Sequence, residues 1–421
     1  MKTALAQLLI SMLILGTLQM RRRLPLTVRT LLSITCGLFG LIFVVRIAAQ
    51  GIAHPPKWDF LCFWLYAHVA ATTHNVYDPV NFEAFAGNVP HDNEFSREVL
   101  NVGMPYPPPT ILLFYPLAFF DNIKSAVTFW YILNITALFA LTWVLWRAFF
   151  SEHGKSALPA VFGLVTCFTP TLTNLEFAQT LIFVVLFSTL FITDQLPERK
   201  GLWLAIAIIV KPIALVFLLY PLIRRQVRLV AACFMTLCLS VLAALLCLSR
   251  QAIVSYFVNN PVKREPQYLF GSFAAEDLNQ SLLSLLLKYQ HLFGGHANTI
   301  YVIAALLMLI VSVAICLRIG EADGDLSVAV LAPLGLMIYP ATSVFYGALL
   351  LLPLTVLWHK REHVLGGSIA VMLLWGAEIT LLSFGWSSKT GFVGFMIFWI
   401  FAALNLCRCE GKRAKPGKIT S

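Results

Sequence analysis

The sequence predicts an all-α polytopic membrane protein with about 11–13 transmembrane helices. Three observations predict it. Of 421 residues, 59% are hydrophobic and 12% are charged, whereas a soluble domain carries about 45–50% apolar and about 25% charged residues. Half the charge needed to cover a water-facing surface excludes a cytosolic enzyme. The apolar residues also run continuously for about 15–22 positions, close to the roughly 20 that a helical crossing needs. A transmembrane β-barrel would instead alternate with period 2. Finally, the mean hydropathy of the whole chain is +0.80, so the pattern belongs to the chain at large and not to one anchor.

In order along the chain, apolar runs fall at about 3–20, 30–50, 124–148, 157–172, 176–194, 201–223, 227–248, 299–317, 326–340, 344–358, 364–384 and 391–407. The first follows Lys2 and ends at Arg21-Arg22-Arg23 without a small-residue cleavage site, so it is expected to stay attached, as a transmembrane or an interfacial helix. Cytoplasmic loops collect Lys and Arg, which places Arg21–Arg23 inside and sends the second run outward. With that start, 19 of the 30 basic residues fall in cytoplasmic loops or in a cytoplasmic tail, 408–421. The net charge of +10 is then mostly topology, and no nucleic-acid partner is expected. The topology closes only if 201–223 is broken around Lys211-Pro212, where proline interrupts a helix. The whole chain, 1–421, reads as one integral membrane domain. Its two polar segments, about 51–123 and about 249–298, form large outer loops, each longer than an ordinary connection. Of nine cysteines, most lie inside apolar runs, and no disulfide framework or zinc spacing emerges.

Several residues stand out as candidates for chemistry. Asp59, between Trp58 and Phe60 at the start of an apolar stretch, is a carboxylate at a membrane surface; desolvation there favours a general base, and a helix N-cap is the structural alternative. Tyr106 precedes Pro107-Pro108-Pro109, whose prolines hold an extended lead into a short helix. Lys211 lies inside an apolar run, where an ionisable group is a functional hypothesis by default; its point charge suits a phosphate oxygen, and snorkelling is the alternative. Arg250, Lys263 and Arg264 put positive charge in the second outer loop, against the usual trend. Asn279, Gln280 and Ser281 suit either sugar hydroxyls or a helix cap. Asn174, Glu176 and Gln179 are polar groups at an outer turn. Asp323-Gly324-Asp325 has a metal-binding spacing but falls in a short cytoplasmic turn, ordinary Asp-Gly chemistry; likewise His359 and His363 read as a solvated loop. No metal site and no cofactor are expected.

The order of these blocks resembles glycosyltransferase family 87, membrane enzymes that use polyprenyl-phosphate-linked mannose or a related sugar. Trp58-Asp59-Phe60 with Tyr77-Asp78-Pro79 looks like the family's first outer loop. Tyr106-Pro107-Pro108 with Tyr115-Pro116-Leu117 resembles its next block. The stretch from Asn174 and Gln179 through Lys211-Pro212 to Arg224-Arg225 resembles a third, and Asn279-Gln280-Ser281 a fourth. The likeness covers roughly residues 30–360. One late turn departs from it. Where family members carry a histidine cluster, this chain reads Tyr339-Pro340-Ala341-Thr342-Ser343-Val344-Phe345-Tyr346, and Tyr346 stands in that place.

The resemblance implies the C-type glycosyltransferase fold with two large extracytoplasmic loops, in a bacterial inner membrane, with the site facing the periplasm. It implies an inverting transfer from a polyprenyl-phosphate-linked sugar, mannose above all, to a glycolipid or glycan acceptor. Asp59 would be the catalytic base. Lys211 and Arg264 would hold the phosphate, with Lys263, Arg250, Tyr106, Gln179, Asn279, Gln280 and Tyr346 as further binding residues. Two other readings are open from the sequence: a lipid or oligosaccharide transporter, and a non-catalytic subunit of the same fold.

Overall fold

Helix α1 (Leu26–Ala53) begins directly after Pro25 and is the first element of the computed structural model, which describes residues 25–56, 59–78, 80–81, 84, 106–259, 279–319, 321–359, 392–396, 398–400 and 402–403. The runs expected at 3–20 and 364–384, and the tail 408–421, lie outside these residues, as do positions 391, 397, 401 and 404–407 of the last run.

After α1 come α2 (Asp59–Thr73), α3 (Pro108–Phe114), α4 (Ile123–Leu145), α5 (Leu158–Thr166), α6 (Thr169–Glu176), α7 (Leu181–Thr193) and α8 (Pro197–Val210). They are followed by α9 (Leu219–Ile223), α10 (Val227–Cys247), α11 (Arg250–Asn259), α12 (Leu282–Lys288), α13 (Ala297–Arg318), α14 (Ser327–Ile338) and α15 (Leu351–His359). Among the described residues the only extended pairing is an isolated antiparallel bridge between Asn279 and Ser343. The protein is an all-α polytopic membrane protein, as its composition predicts.

Length separates two kinds of helix. Among the described residues four are long and apolar enough to cross a membrane: α1, α4 with its continuation to His153, α10 and α13. A fifth crossing is available if α5 and α6, bent by 65° at the break between them, act as one span. Six further apolar helices among the described residues are shorter, at 10–17 residues. Proline explains much of the difference. Pro170 opens α6, and Pro212 opens a 3-10 segment (Pro212–Leu218) between α8 and α9. Such interruptions at membrane depth are tolerated where protein, not lipid, satisfies the backbone. Accordingly α7, α14 and α15 are buried along most of their length. By contrast α10 and α13 show broad apolar faces, including Phe234, Leu246, Leu306 and Ile310, as helices bordering lipid do.

Small residues set the close crossings. A Cβ on Gly163 of α5 would stand 2.7 Å from the Cys36 carbonyl oxygen of α1, and one on Gly201 of α8 only 2.4 Å from the Leu229 carbonyl oxygen of α10. Backbones approach this closely only over glycine.

The segment 51–123, too polar as a whole for a crossing, does not simply lie over the bundle. Its apolar stretch from Phe60 to Ala71 becomes α2 and sinks into the core: Phe60, Leu65 and Val69 are fully buried. Trp64 Nε1 donates to the Phe120 carbonyl at 3.0 Å, tying α2 to the 3-10 turn after α3. At the far end of α2 the Ser249 N–H donates to the His74 carbonyl at 2.9 Å, which fastens this segment to the start of α11.

Candidate functional site

Proline creates the centre of the site. The residue before proline is pushed out of the helical region, and Lys211 is extended (φ −157°, ψ 125°) directly after α8. Its side chain therefore leaves the helix surface and runs inward, where it is only 3% exposed. There Lys211 Nζ donates to Gln179 Oε1 at 2.9 Å. The ammonium also lies 4.3 Å from the centre of the Tyr346 ring and 5.0 Å from that of Phe345. Two π faces offset part of the cost of burying a cation, an effect of about 2 kcal/mol when desolvated.

Gln179 is presented by a turn between α6 and α7 that Asn174 holds shut. The Asn174 carbonyl accepts from the Gln179 N–H at 2.8 Å, and its Oδ1 accepts from the Leu181 N–H at 2.9 Å. This closure forces Ala178 into the left-handed region (φ 48°), uncommon for a residue with a Cβ. Of the outer-turn residues singled out by sequence, Asn174 therefore shapes the turn and Gln179 points its amide into the site. Glu176, at the end of α6, is exposed.

The aromatic wall is positioned by a second turn. Beyond α14, Asn279 Nδ2 donates to the Pro340 carbonyl at 2.6 Å, Ser281 Oγ donates to the same oxygen at 3.1 Å, and the Gln280 N–H donates to the Thr342 carbonyl at 2.6 Å. Ser281 also caps α12, accepting from the Ser284 N–H. Of the two uses the sequence left open for Asn279-Gln280-Ser281, Asn279 and Ser281 serve the second, pinning a turn and a helix start. That turn carries Tyr339, whose ring stacks at 5.8 Å on that of Tyr346.

Tyr106 lies edge-on to Phe63 and Phe114, each at 5.9 Å, and its carbonyl accepts from the Tyr77 hydroxyl at 2.8 Å. Burial, and then the neighbouring Tyr256, hold the Tyr77 hydroxyl above its ordinary pKa, so it remains a donor. Trp130 of α4 joins the groups. Its ring is 6.4 Å from Phe60 and 5.8 Å from Phe183, and its Nε1 donates to the Ala178 carbonyl at 2.6 Å. The start of α2 is thereby packed against the side chain that supports the Gln179 turn.

Asp59 is the first residue of α2; its side chain lies outside the described residues, as do Lys263 and Arg264. Arg250 opens α11 with an exposed side chain and is not drawn into the buried cluster. Asp325 Oδ1 accepts from the Leu326 N–H at 3.1 Å, and Ser327 Oγ donates to the Gly324 carbonyl at 2.6 Å, which is turn chemistry. Among the described residues no three His, Cys, Asp or Glu side chains come together as a metal site.

The structure thus gathers Lys211, Gln179 and Tyr346 into one buried cluster, with Asn279 and Gln280 at the turn just before Tyr346; Tyr106 packs instead with Phe63 and Phe114. Phe345, Tyr339 and Trp130 belong to that cluster as well. Sequence offered no signal for Trp130, an ordinary aromatic in an apolar helix.

No curated protein and no solved structure matches the chain. The family model of glycosyltransferase family 87 matches residues 105–340. That span is more than half of the 421 residues and takes in Tyr106, Gln179, Lys211, Asn279 and Gln280, while Asp59 and Tyr346 fall outside it. On this match the chain belongs to glycosyltransferase family 87.

Proposed function

We propose that this membrane glycosyltransferase moves mannose from a polyprenyl-phosphate-linked donor to a lipid-linked or glycan acceptor, with inversion, on the extracytoplasmic side of a bacterial inner membrane. One observation carries the reading. A lysine ammonium is buried at a helix break with an amide and two aromatic faces around it. A buried cation beside irregular backbone suits an anionic group of a substrate, and a sugar phosphate at the membrane supplies one.

In this mechanism the acceptor hydroxyl oxygen attacks C1 of the sugar while Asp59 takes its proton. The C1–O bond to phosphate breaks, and the electron pair leaves on the phosphate oxygen. Lys211 stabilises that growing charge, which is where pre-positioned electrostatics contribute most. Arg264, and with it Lys263 and Arg250, supplies further positive charge from the second outer loop. The position of Asp59 supports the scheme: it precedes Phe60, which packs on Trp130, which in turn bonds to the carbonyl next to Gln179. The extracytoplasmic orientation rests on the distribution of basic residues.

The test is transfer by the purified full-length chain from radiolabelled polyprenyl-phosphate mannose to a glycolipid acceptor. Wild type should give product with an inverted anomeric centre, and Asp59→Asn should give none while still binding donor. Wild-type turnover by Asp59→Asn would remove Asp59 from the mechanism. Movement of lipid across a vesicle membrane without product would identify a transporter instead.

A further inference from the structure

The prolines after Tyr106 deliver one side chain to the helix break at Lys211. Pro107 is extended (φ −67°, ψ 156°) and precedes α3, whose first two positions are Pro108 and Pro109; proline is tolerated there because the first N–H groups of a helix have no in-helix partner. Thr110 comes third in α3, with its N–H on the Pro107 carbonyl at 2.9 Å and its side chain fully buried. From this position Thr110 Oγ1 donates to the Ile209 carbonyl oxygen at 2.6 Å, across 99 residues of sequence. Ile209 stands two residues before Lys211, in the last turn of α8.

Other buried threonines of this fold bond differently. Thr142, Thr166 and Thr189 each donate to the carbonyl four residues before them in their own helix, at 2.7–2.8 Å. For Thr110 the corresponding carbonyl is that of Tyr106, which takes the Tyr77 hydroxyl, and the threonine reaches a different helix. The Ile209 carbonyl has its own need of a donor. Carbonyls in the last turn of a helix have lost their in-helix partners, and Pro212 has no N–H to offer. The backbone of Lys211 is bonded locally, its N–H to the Ala207 carbonyl at 3.0 Å and its carbonyl to the Ala214 N–H at 3.2 Å. Local bonds move with the break. Thr110 fastens it from outside, on a helix that packs against both α8 and α10.

We propose that Thr110 is a positioning residue for Lys211: its hydroxyl holds the broken end of α8 where the ammonium reaches Gln179 and the Tyr346 ring. The proposal rests on the reading of Lys211 as the group that meets the leaving phosphate, and it gives the proline block a task in the same reaction. The hydroxyl, and not the volume of the side chain, is the working part. Charge that grows in the transition state is sensitive to the placement of the cation facing it, and a misplacement of about 1 Å can cost about 100-fold in rate. A hydrogen bond two residues from that cation therefore has leverage on turnover.

The experiment uses the purified full-length chain in lipid nanodiscs and has two readouts. The first is the rate at which formaldehyde and cyanoborohydride methylate Lys211, followed by mass spectrometry, with the exposed Lys124 and Lys155 as internal references. Thr110→Val keeps the shape and removes the hydroxyl; it should speed labelling of Lys211 about fivefold or more, and Thr110→Ser should match wild type. The second is transfer from polyprenyl-phosphate mannose. Thr110→Val should lower kcat about tenfold or more with the donor KM within about threefold, and Thr110→Ser should stay close to wild type. In the Lys211→Met background, Thr110→Val should change the residual rate less than about twofold, because its effect runs through Lys211. Thermal midpoints check folding, and Thr110→Ala replaces Thr110→Val if the latter does not fold. Wild-type labelling of Lys211 in the folded variant, an equal loss in Thr110→Ser, or losses that multiply in the double variant would overturn the positioning role. The donor reading fails separately: faster labelling without any transfer by wild type removes the proposed donor and keeps the positioning role, and transfer that depends on Lys211 with unchanged labelling does the reverse.

Discussion

Trp130 and Ala178 are joined by a hydrogen bond of 2.6 Å from the indole N–H to the carbonyl oxygen, so the turn carrying Gln179 hangs from the side chain that packs against the start of α2. Trp130→Phe keeps an aromatic ring but leaves a buried carbonyl without its donor. It should cost about 1–3 kcal/mol of stability, read as a lower thermal midpoint in detergent. It should also reduce transfer by more than the stability loss explains, because Gln179 is then less firmly placed. Full activity with a lowered midpoint would make Trp130 a packing residue alone.

Ala178 holds a left-handed backbone (φ 48°) in a fully buried turn. A Cβ in that region costs on the order of 1 kcal/mol. Ala178→Gly should therefore fold at least as stably as wild type, and Ala178→Val, with a branched Cβ and no room, should lose about 2 kcal/mol or more. Thermal unfolding of the two variants side by side reads the difference.

Lys211 contributes to binding more than to stability. Replacing a buried charge by an apolar chain of similar length removes its desolvation cost, which offsets the loss of the Gln179 hydrogen bond. Lys211→Met should stay within about 3 °C of the wild-type midpoint. Transfer should nevertheless fall at least about 100-fold, the usual effect of losing one pre-positioned stabiliser of developing negative charge. Lys211→Arg should not restore it, since a planar guanidinium cannot occupy the slot between Gln179 and the two rings.

Asp194, in the connection between α7 and α8, offers a pH signature away from the site. Burial disfavours its charge, but the Leu196 N–H, Trp203 Nε1–H at 3.1 Å, the Gln195 N–H and the nearby Arg199 together outweigh that and hold its carboxyl below the ordinary carboxylate pKa. A group depressed in the folded state stabilises above its unfolded pKa of about 3.9 and loses that contribution as pH falls through the folded value. The midpoint difference between wild type and Asp194→Asn should be constant from neutral pH down to about 5 and shrink below about 4. A difference that grew on acidification would reverse the sign.

Some of the site could be seen before any coordinates. Pro212 announces the end of α8 at Lys211 because it disfavours helix in the residue before it, and Ser281 announces the start of α12 by its capping chemistry. Both effects act over one to three residues, so local sequence contains them. The partners of Lys211 are of another kind. Gln179 lies 32 residues upstream, and Tyr346 comes from a turn far downstream that owes its shape to Asn279. Nothing local to Lys211 specifies either.

Composition and the length of the apolar runs suffice to make this an all-α membrane protein, since solvation by lipid acts on every residue independently of its neighbours. The lengths of the crossings, the burial of α2 within a segment too polar to span, and the meeting of Lys211, Gln179 and Tyr346 depend on which helices pack together. Packing is non-local: it places one side chain against another whatever their separation along the chain, and only the folded arrangement specifies those pairs.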